Sequence, residues 1–218
     1  MREKYWPAIA GLWSIAMLVL SATARAGEDD HLEPCQSFLS EYEIRVDSIA
    51  LAAMPGKIEL WVTMLVSFQP ESIVGISIDK GRYFLTDVVF QQPLWNQDGF
   101  ASGSTWSFDF SKPRVRTKAA TARISPELHA ALDSEWARSI ESAHSVEKNE
   151  QSVKVDGYIF EFKSPGHCGS TNSPEEGTRN YKLVDLALAL AWLAENKWNP
   201  LPTARRNVAQ KLLRLSPP

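Results

Sequence analysis

The densest group of side chains that could do chemistry is the run Gly166-His167-Cys168-Gly169-Ser170-Thr171. A cysteine beside a histidine could act as a nucleophile and its base, but adjacency in the sequence does not supply the hydrogen-bond geometry that this chemistry needs. The other cysteine of the chain is Cys35, and cysteines in an oxidising compartment usually pair. We therefore predict a structural Cys35–Cys168 disulfide and no catalytic thiol.

A metal site is a second possible use of the same residues. His31 lies four positions before Cys35, and His167 directly precedes Cys168. Two histidines and two cysteines would suit zinc, but the predicted disulfide removes both sulfur ligands. His31 and His167 would then remain near each other as an alternative surface site for copper or zinc. The prediction is that the protein uses no metal and no cofactor.

Sequence signatures of other enzyme classes are weak in this chain. The spacing S-x-x-K, which sets a serine nucleophile beside an amine when it lies on a helix, occurs from Ser77 to Lys80 and from Ser145 to Lys148. The first match falls on a strand end and the second beyond a predicted helix end. The sequence contains no nucleophile elbow, phosphate-binding loop or zinc-protease motif, so it favours a binding protein over an enzyme.

The first 26 residues have the three parts of a cleavable signal peptide. A short charged start, Met1–Lys4, precedes a mostly apolar run from Ala8 to Ala22 and the small-residue site Ala24-Arg25-Ala26. The apolar run has about 15 residues, whereas a membrane-spanning helix needs about 20. We therefore expect residues 27–218 to form a single exported α+β domain, periplasmic or secreted, without stable membrane insertion after cleavage.

The charge balance bears on the type of partner. The chain has 23 basic and 26 acidic side chains, a formal net charge of −3. Nucleic acid is a poor partner for such a surface, because binding to phosphates needs clustered positive charge. A protein in the cell envelope is the partner that the composition favours.

The first half of the chain has the alternating pattern of antiparallel strands. Asp79-Lys80-Gly81 is a turn signal between two apolar runs and predicts a hairpin. Residues 164–177 are rich in Gly, Ser and Pro and predict a long loop. The predicted strands are Tyr42–Leu51, Lys57–Phe68, Ser72–Ile78, Arg82–Gln91, Trp106–Phe110, Val115–Ile124 and Val153–Lys163.

The second half of the chain carries helix signals. Ser125-Pro126-Glu127 is typical of a helix start, and Leu128, Leu132, Trp136 and Ile140 make one apolar stripe. A second helix begins near Thr178 and is apolar over more than half its circumference, so we expect it to be well buried, with Trp192 in the core. Thr203 caps a short C-terminal helix. The predicted fold is therefore α+β, a mainly antiparallel sheet of about five to seven strands with two longer helices packed on one face.

Two predicted loops are candidates for partner recognition, 93–104 and 164–177. Both are long and rich in small polar residues, and each follows a strand end, where composition is free to vary for binding. The first offers Trp95 and Phe100 as aromatic anchors with Asp98 beside them. The second offers His167, Glu175 and Glu176, which would suit a basic partner surface. The histidines of the first helix, His129 and His144, are expected to be solvated.

Several short motifs are shared with a group of exported proteins. They are Ser67-Phe68-Gln69-Pro70-Glu71, Leu94-Trp95, Trp136, Asp156-Gly157-Tyr158-x-Phe160, Cys168-Gly169 and Ser173-Pro174 before Leu183-Val184. In these motifs, over most of residues 57–190, the chain resembles uncharacterised exported proteins of proteobacteria. The resemblance implies export but no known activity, and it assigns no site residues.

Together these observations predict an exported binding or inhibitory protein of unknown ligand. An immunity-type inhibitor of an envelope-acting toxin would fit an acidic, compact, disulfide-closed domain. The alternatives are a structural or assembly accessory of the cell envelope, or a hydrolase with an unrecognised site.

Overall fold

A computed structural model of the chain describes residues 30–35, 40–94, 99–102, 105–108, 115–144, 157–196 and 202–215. The strands and helices alternate irregularly along the chain. The strands are β1 (Glu33–Pro34), β2 (Lys57–Val66), β3 (Ser72–Asp79), β4 (Arg82–Phe90), β5 (Gly99–Ser102), β6 (Thr105–Phe108), β7 (Thr117–Arg123), β8 (Tyr158–Ser164) and β9 (His167–Asn172). The helices are α1 (Ser40–Leu51), α2 (Pro126–Glu141), α3 (Arg179–Glu195) and α4 (Pro202–Leu215).

Seven of these strands form one antiparallel sheet in the order β1-β9-β8-β2-β3-β4-β7. Strands β2, β3, β4 and β7 lie side by side in the sheet in the order in which they occur along the chain, which confirms a meander and the predicted hairpin. The late strand β8 pairs with β2, and β9 continues the sheet beyond it. Strands β5 and β6 form a separate two-stranded sheet. The prediction of a loop over 93–104 was therefore wrong at Gly99–Ser102, and the strand predicted at Trp106–Phe110 belongs to this small sheet and not to the meander. The predicted α+β architecture is confirmed.

One face of the sheet is covered by α2, α3 and α4. In α2 the buried side chains Leu132, Trp136 and Ile140 recur every four residues, so they form one stripe against the sheet. Trp136 packs edge-on against Phe162 of β8, with ring centroids 5.7 Å apart. The predicted starts of the two longer helices are confirmed, because the side chains of Ser125 and Thr178 cap α2 and α3. The C-terminal helix α4 begins at Pro202, so the prediction that Thr203 caps it was wrong. The two longer helices thus share one face of the sheet, and α4 packs against both of them.

The prediction for Trp192 was wrong. It is half-exposed on the outer side of α3, together with Leu188 one turn earlier. The cause is that α3 is apolar around most of its surface, so the sequence pattern does not show which apolar residues face the sheet.

The opposite face of the sheet carries α1, and here the sequence prediction was also wrong. Residues 42–51 were predicted to form a strand, but they lie in a helix. Tyr42, Val46 and Ala50 are the buried side chains of this helix, and their four-residue spacing is that of one helical face. The segment also mixes β-branched and polar residues, and a short stretch of this kind satisfies helix and strand patterns alike.

The predicted loop 164–177 was wrong in its first half. Residues 167–172 form β9, which pairs with β8 in a tight hairpin. Gly166 lies in this turn with a φ of +83°, a backbone conformation that favours glycine. The predicted disulfide is confirmed, because Cys168 of β9 is bonded to Cys35, which follows β1, across a sequence separation of 133.

Candidate functional site at one end of the sheet

The turn between β2 and β3 presents an aromatic side chain to solvent. Phe68 is 88% exposed, and its φ of +62° places it in the left-handed region. For a residue with a side chain this conformation costs about 1–2 kcal/mol, and an exposed ring recovers none of that cost through burial. The fold therefore holds Phe68 in a strained position from which the domain itself gains no packing.

A second exposed aromatic residue lies on the neighbouring strand. Tyr158, the first residue of β8, pairs with Val66 in the sheet and is 52% exposed. The backbone N–H of Ser67 donates to the carbonyl oxygen of Gly157 at 3.2 Å, and the N–H of Gly157 donates to Ser67 Oγ at 3.1 Å. We call Phe68, Tyr158 and the backbone that joins them the aromatic end of the sheet.

The connection that follows β9 supports the aromatic end from the other side. The N–H of Ser173 donates to the carbonyl oxygen of Tyr158 at 2.8 Å, and the N–H of Tyr158 donates to Ser173 Oγ at 3.1 Å. The backbone N–H and C=O groups of Tyr158 are therefore both bonded to Ser173, while β2 pairs with Tyr158 on the other side. A rigid backbone under an exposed side chain lowers the entropy lost on binding.

The buried carboxylate of Glu71 fixes the end of the turn that contains Phe68. Glu71 lies three residues after Phe68 and is 2% exposed. The hydroxyl of Tyr42 on α1 donates to Glu71 Oε1, and the N–H of Leu94 donates to Glu71 Oε2 at 2.8 Å. One side chain thus joins α1, the start of β3 and the beginning of the 93–104 segment.

A charge cluster lies beneath α1, on the same face as Tyr42. Its centre is Lys163 of β8, whose Nζ lies 2.8 Å from Asp47 Oδ2 and 2.6 Å from Glu161 Oε2. The hydroxyl of Thr63 donates to Asp47 Oδ1 at 2.7 Å, and the indole N–H of Trp61 donates to Asp47 Oδ2 at 3.3 Å. We refer to Glu43, Asp47, Glu161 and Lys163 as the charge cluster.

The pKa values of Lys163 and Glu43 indicate which groups of the charge cluster are charged. Burial lowers the pKa of Lys163, but the charges of Glu161 and Asp47 outweigh this and raise the pKa above its usual value, so the amine stays an ammonium group and is a poor nucleophile. Burial, together with the nearby Glu161, raises the pKa of Glu43 to about 7 against the attraction of Lys163. The carboxyl of Glu43 is therefore partly protonated near neutral pH.

A further carboxyl with a raised pKa lies on the other face of the sheet. Asp87 of β4 is 3% exposed, and burial followed by the charge of Glu195 raises its pKa to about 7, with Lys118 acting in the opposite direction. Asp87 and Glu43 are separated by the sheet, so they titrate as separate sites.

The predicted partner-binding residues fall into two groups, those whose side chains lie outside the described residues and those that are exposed, which include His167. Trp95 and Asp98 lie outside the described residues, and the side chain of Phe100 in β5 is also outside them. Glu175 and Glu176 are exposed just beyond Ser173. Glu176 borders a shallow depression that also contains Lys182, Lys211 and Arg214, so the surface around it is not uniformly acidic.

The predicted histidine pair is not brought together. His167 pairs with Ser164 at the hairpin end of β8, whereas Glu33, two residues after His31, pairs with Ser170 further along β9. The histidine close to His31 is His144, with ring centroids 4.6 Å apart. In the part of the chain that the structure describes, no group of three or more His, Cys, Asp or Glu side chains is arranged to hold a metal ion.

The prediction that His129 is solvated was wrong. Its ring stacks on Tyr83 with centroids 4.0 Å apart, and its Nε2 lies 2.9 Å from Glu59 Oε2. These contacts join the first turn of α2 to β2 and β4. The sequence pattern placed His129 on the polar side of the helix but did not show that strand residues reach this side.

Two features of the site were missed by sequence reasoning. In β8 the sequence Phe160-Glu161-Phe162-Lys163 alternates, so the two charged residues share one face of a central strand. Charges at alternate positions of a buried strand were a signal for partners on a covering element. No sequence signal pointed to Phe68, because the residues around it do not reveal that its backbone adopts a positive φ.

Comparison with known proteins identifies no relative of this chain. No protein-family model matches this chain, and neither the curated proteins nor the solved structures contain a match to it. The resemblance to exported proteobacterial proteins therefore stays a prediction. Within the described residues, no helix is both long enough and apolar enough to cross a membrane.

Proposed function

We propose that this chain is an exported binding or inhibitory protein whose partner is a protein of the cell envelope that docks on the aromatic end of the sheet. The observation that carries the proposal is Phe68, an aromatic residue that is almost fully exposed while it holds a strained backbone conformation. Strain retained at a solvent-exposed residue is typical of functional positions. An immunity-type inhibitor of an envelope-acting toxin is the form of this function that we favour.

The aromatic end has the features of an interface anchor. Aromatic side chains dominate the binding energy of protein interfaces because they bury a large area with little loss of rotamer entropy. Phe68 lies in the turn that follows β2, Tyr158 begins the neighbouring strand β8, and hydrogen bonds join the backbone next to each of them. The surrounding Ser67, Gln69 and Ser173 carry no charge, which favours a partner surface that is apolar with a polar rim.

We infer the compartment from the disulfide together with the sequence. The Cys35–Cys168 disulfide is typical of proteins in oxidising compartments, and the N-terminal segment has the pattern of a secretory signal. These two features support periplasmic or secreted localisation.

Site-specific photo-crosslinking tests the docking surface in intact cells. A benzophenone amino acid at position 68 or 158 should give one discrete protein adduct in the envelope fraction. The same group at Ile44, which is 66% exposed on α1, should not give that adduct. Equal labelling from all three positions, or no adduct from 68 and 158, would show that the aromatic end is not the interface.

Removal of the strained side chain then separates binding from folding. Phe68→Gly should raise the free energy of unfolding by up to about 1 kcal/mol, because glycine adopts a positive φ without strain, and should abolish the crosslink from position 158. The matched control is Lys80→Gly, since Lys80 also has a positive φ, of +50°, in the β3–β4 turn. This control should gain similar stability and keep the crosslink. Retention of the crosslink in Phe68→Gly would contradict the proposal.

A further inference from the structure

Two histidines from distant parts of the chain lie side by side on the surface. His31 comes directly before the buried Leu32, and His144 follows the C-terminal end of α2. Both histidines are exposed, and their ring centroids are 4.6 Å apart. Two imidazoles that bind one metal ion through bonds of about 2.0–2.1 Å have their centroids about 4.5–5 Å apart. The separation of the two rings therefore suits two ligands of one ion.

Hydrogen bonds fix the backbone of both histidines. The N–H of His144 donates to the carbonyl oxygen of Leu32 at 3.0 Å, which joins the end of α2 to the segment that carries His31. The side-chain amide of Asn180, which is buried near the start of α3, donates to the carbonyl oxygen of His31 at 2.9 Å. The fold itself thus holds the two residues next to each other, so little ordering remains to be done when an ion binds.

Gly169 of β9 allows the two histidine segments to approach each other. A side chain at this position would place its Cβ 2.9 Å from Leu32 Cδ1 and 3.4 Å from the Cβ of Ala143. These two residues directly adjoin the histidines in the chain, so both segments pack over the point of the strand where a side chain is missing. A larger residue at position 169 would displace them.

A hydrogen bond of the His144 ring determines which of its nitrogens can bind a metal. Nδ1 lies 2.9 Å from the carbonyl oxygen of Ser142. A carbonyl oxygen only accepts hydrogen bonds, so Nδ1 carries the proton, and in the neutral ring Nε2 keeps its lone pair. Histidines that ligate metals almost always donate their other ring N–H in this way, because the bond fixes the tautomer and the orientation of the ring. His144 therefore has the supporting contact of a metal ligand.

We propose that His31 and His144 form a surface site for a divalent metal ion that prefers imidazole nitrogen, Zn²⁺ or Cu²⁺. Imidazole suits both ions, and a given nitrogen site generally binds Cu²⁺ more tightly than Zn²⁺. Water completes the coordination, and the bound ion fastens the segment before β1 to the end of α2. The site replaces the predicted pair of His31 with His167 and departs from the expectation that the chain uses no metal. It does not depend on the function proposed above.

Titration calorimetry of the full mature chain, purified without a histidine tag, tests the site. A single Zn²⁺ ion should bind per chain, Cu²⁺ should bind more tightly, and Mg²⁺ should not bind because it prefers oxygen ligands. His31→Ala and His144→Ala should each weaken Zn²⁺ binding by at least about tenfold. The matched control is His167→Ala, at an exposed histidine where β9 begins, which should keep the wild-type affinity. Unchanged affinity in either of the first two variants, or equal binding of Mg²⁺, would overturn the site.

Two further measurements separate metal binding from a structural role of the histidines. At a free Zn²⁺ concentration of about 100 times Kd, the Tm of the wild type and of His167→Ala should rise by at least about 5 °C. His31→Ala and His144→Ala should keep the metal-free Tm of the wild type, because both side chains are exposed, and should lose this rise.

Nitrogen NMR of the imidazole rings identifies the ligand atom. Zn²⁺ should shift the Nε2 resonance of His144, while Nδ1 keeps its proton and its bond to Ser142. A Zn²⁺-dependent rise in Tm that persists in both alanine variants, or a metal bond at Nδ1 of His144, would contradict the proposal.

Discussion

The two faces of the central sheet are stabilised by different physical interactions. The face under α2, α3 and α4 carries the larger apolar cluster, which includes Trp136, together with the buried Asp87 and the Glu135–Arg179 ion pair between α2 and α3. The face under α1 combines a smaller apolar cluster with Asp47, Glu161 and Lys163. Apolar packing is non-directional and tolerates small shifts, whereas ion pairs and buried hydrogen bonds require fixed geometry. The first face thus provides bulk stability, and the second fixes one position of a helix.

The largest expected effect is on the apolar face. Trp136→Ala removes a fully buried indole and should lower the free energy of unfolding by about 3–5 kcal/mol through lost burial and a cavity. The control is Trp192→Ala on α3, which is half-exposed and should cost less than about 1 kcal/mol. Denaturant titration measures both. Equal costs would show that the buried face is not the main source of stability.

A smaller effect is expected from the charge cluster. Lys163→Met leaves Asp47 and Glu161 without their shared counter-ion and should cost about 3 kcal/mol, because breaking a largely buried pair leaves uncompensated charge. Lys57→Met is the control, since Lys57 is exposed and its Nζ lies 3.9 Å from Glu59; that change should cost less than about 1 kcal/mol. Thermal unfolding followed by circular dichroism compares them. A neutral Lys163→Met variant would remove the electrostatic distinction between the faces.

Asp87 is a buried carboxyl on the face that α2, α3 and α4 cover, and its ionisation should affect the stability of the domain. Its pKa is raised by folding to about 7, so its contribution to stability is complete below about pH 4 and is lost as the pH rises to about 7, at up to about 1.4 kcal/mol per pH unit. Asp87→Asn should flatten this slope and be more stable than the wild type above pH 7. Urea titrations across the pH range measure the slope, with the exposed Asp133→Asn as control. An unchanged slope in Asp87→Asn would assign the pH dependence elsewhere.

The smallest expected effect concerns the link between α1 and the aromatic end. Tyr42→Phe removes the hydroxyl that donates to Glu71 and should cost about 1–2 kcal/mol, since the carboxylate oxygen loses its donor while it stays buried. Tyr181→Phe, at a more exposed tyrosine, should be close to neutral. Chemical denaturation at one pH compares the two variants. If their costs are the same, Glu71 does not depend on α1 for its position.

The difference between the faces also explains which parts could be predicted from the sequence. Helix α2 was predicted from a serine cap, a proline and a four-residue apolar period, all of which act within a few residues. The β3–β4 hairpin was predicted from a turn signal of the same local kind. The disulfide was predicted because only two cysteines were available. Such features need no knowledge of which distant segments meet.

Features that depend on distant contacts were missed. Asp47 and Lys163 are 116 positions apart, and nothing in either local sequence indicates the pairing. Helix α1 was wrongly predicted to be a strand. Tyr42, Val46 and Ala50 form only a short apolar stripe, and it becomes recognisable as a helical face only when the segment packs on the sheet. The site on the aromatic end was missed for a third reason, because the positive φ of Phe68 is imposed by the paired strands on either side of the turn.

The short strand β1 has a consequence for solubility. It covers the outer edge of β9 with two residues, and Pro34 among them has no N–H to offer to another chain. The adjacent disulfide keeps this cover in place. On reduction, β9 would become an open edge with unpaired backbone groups and a template for intermolecular strand addition, whereas the far edge at β7 is protected by the exposed charges of Lys118 and Arg123. Reducing conditions should therefore promote self-association through one side of the sheet.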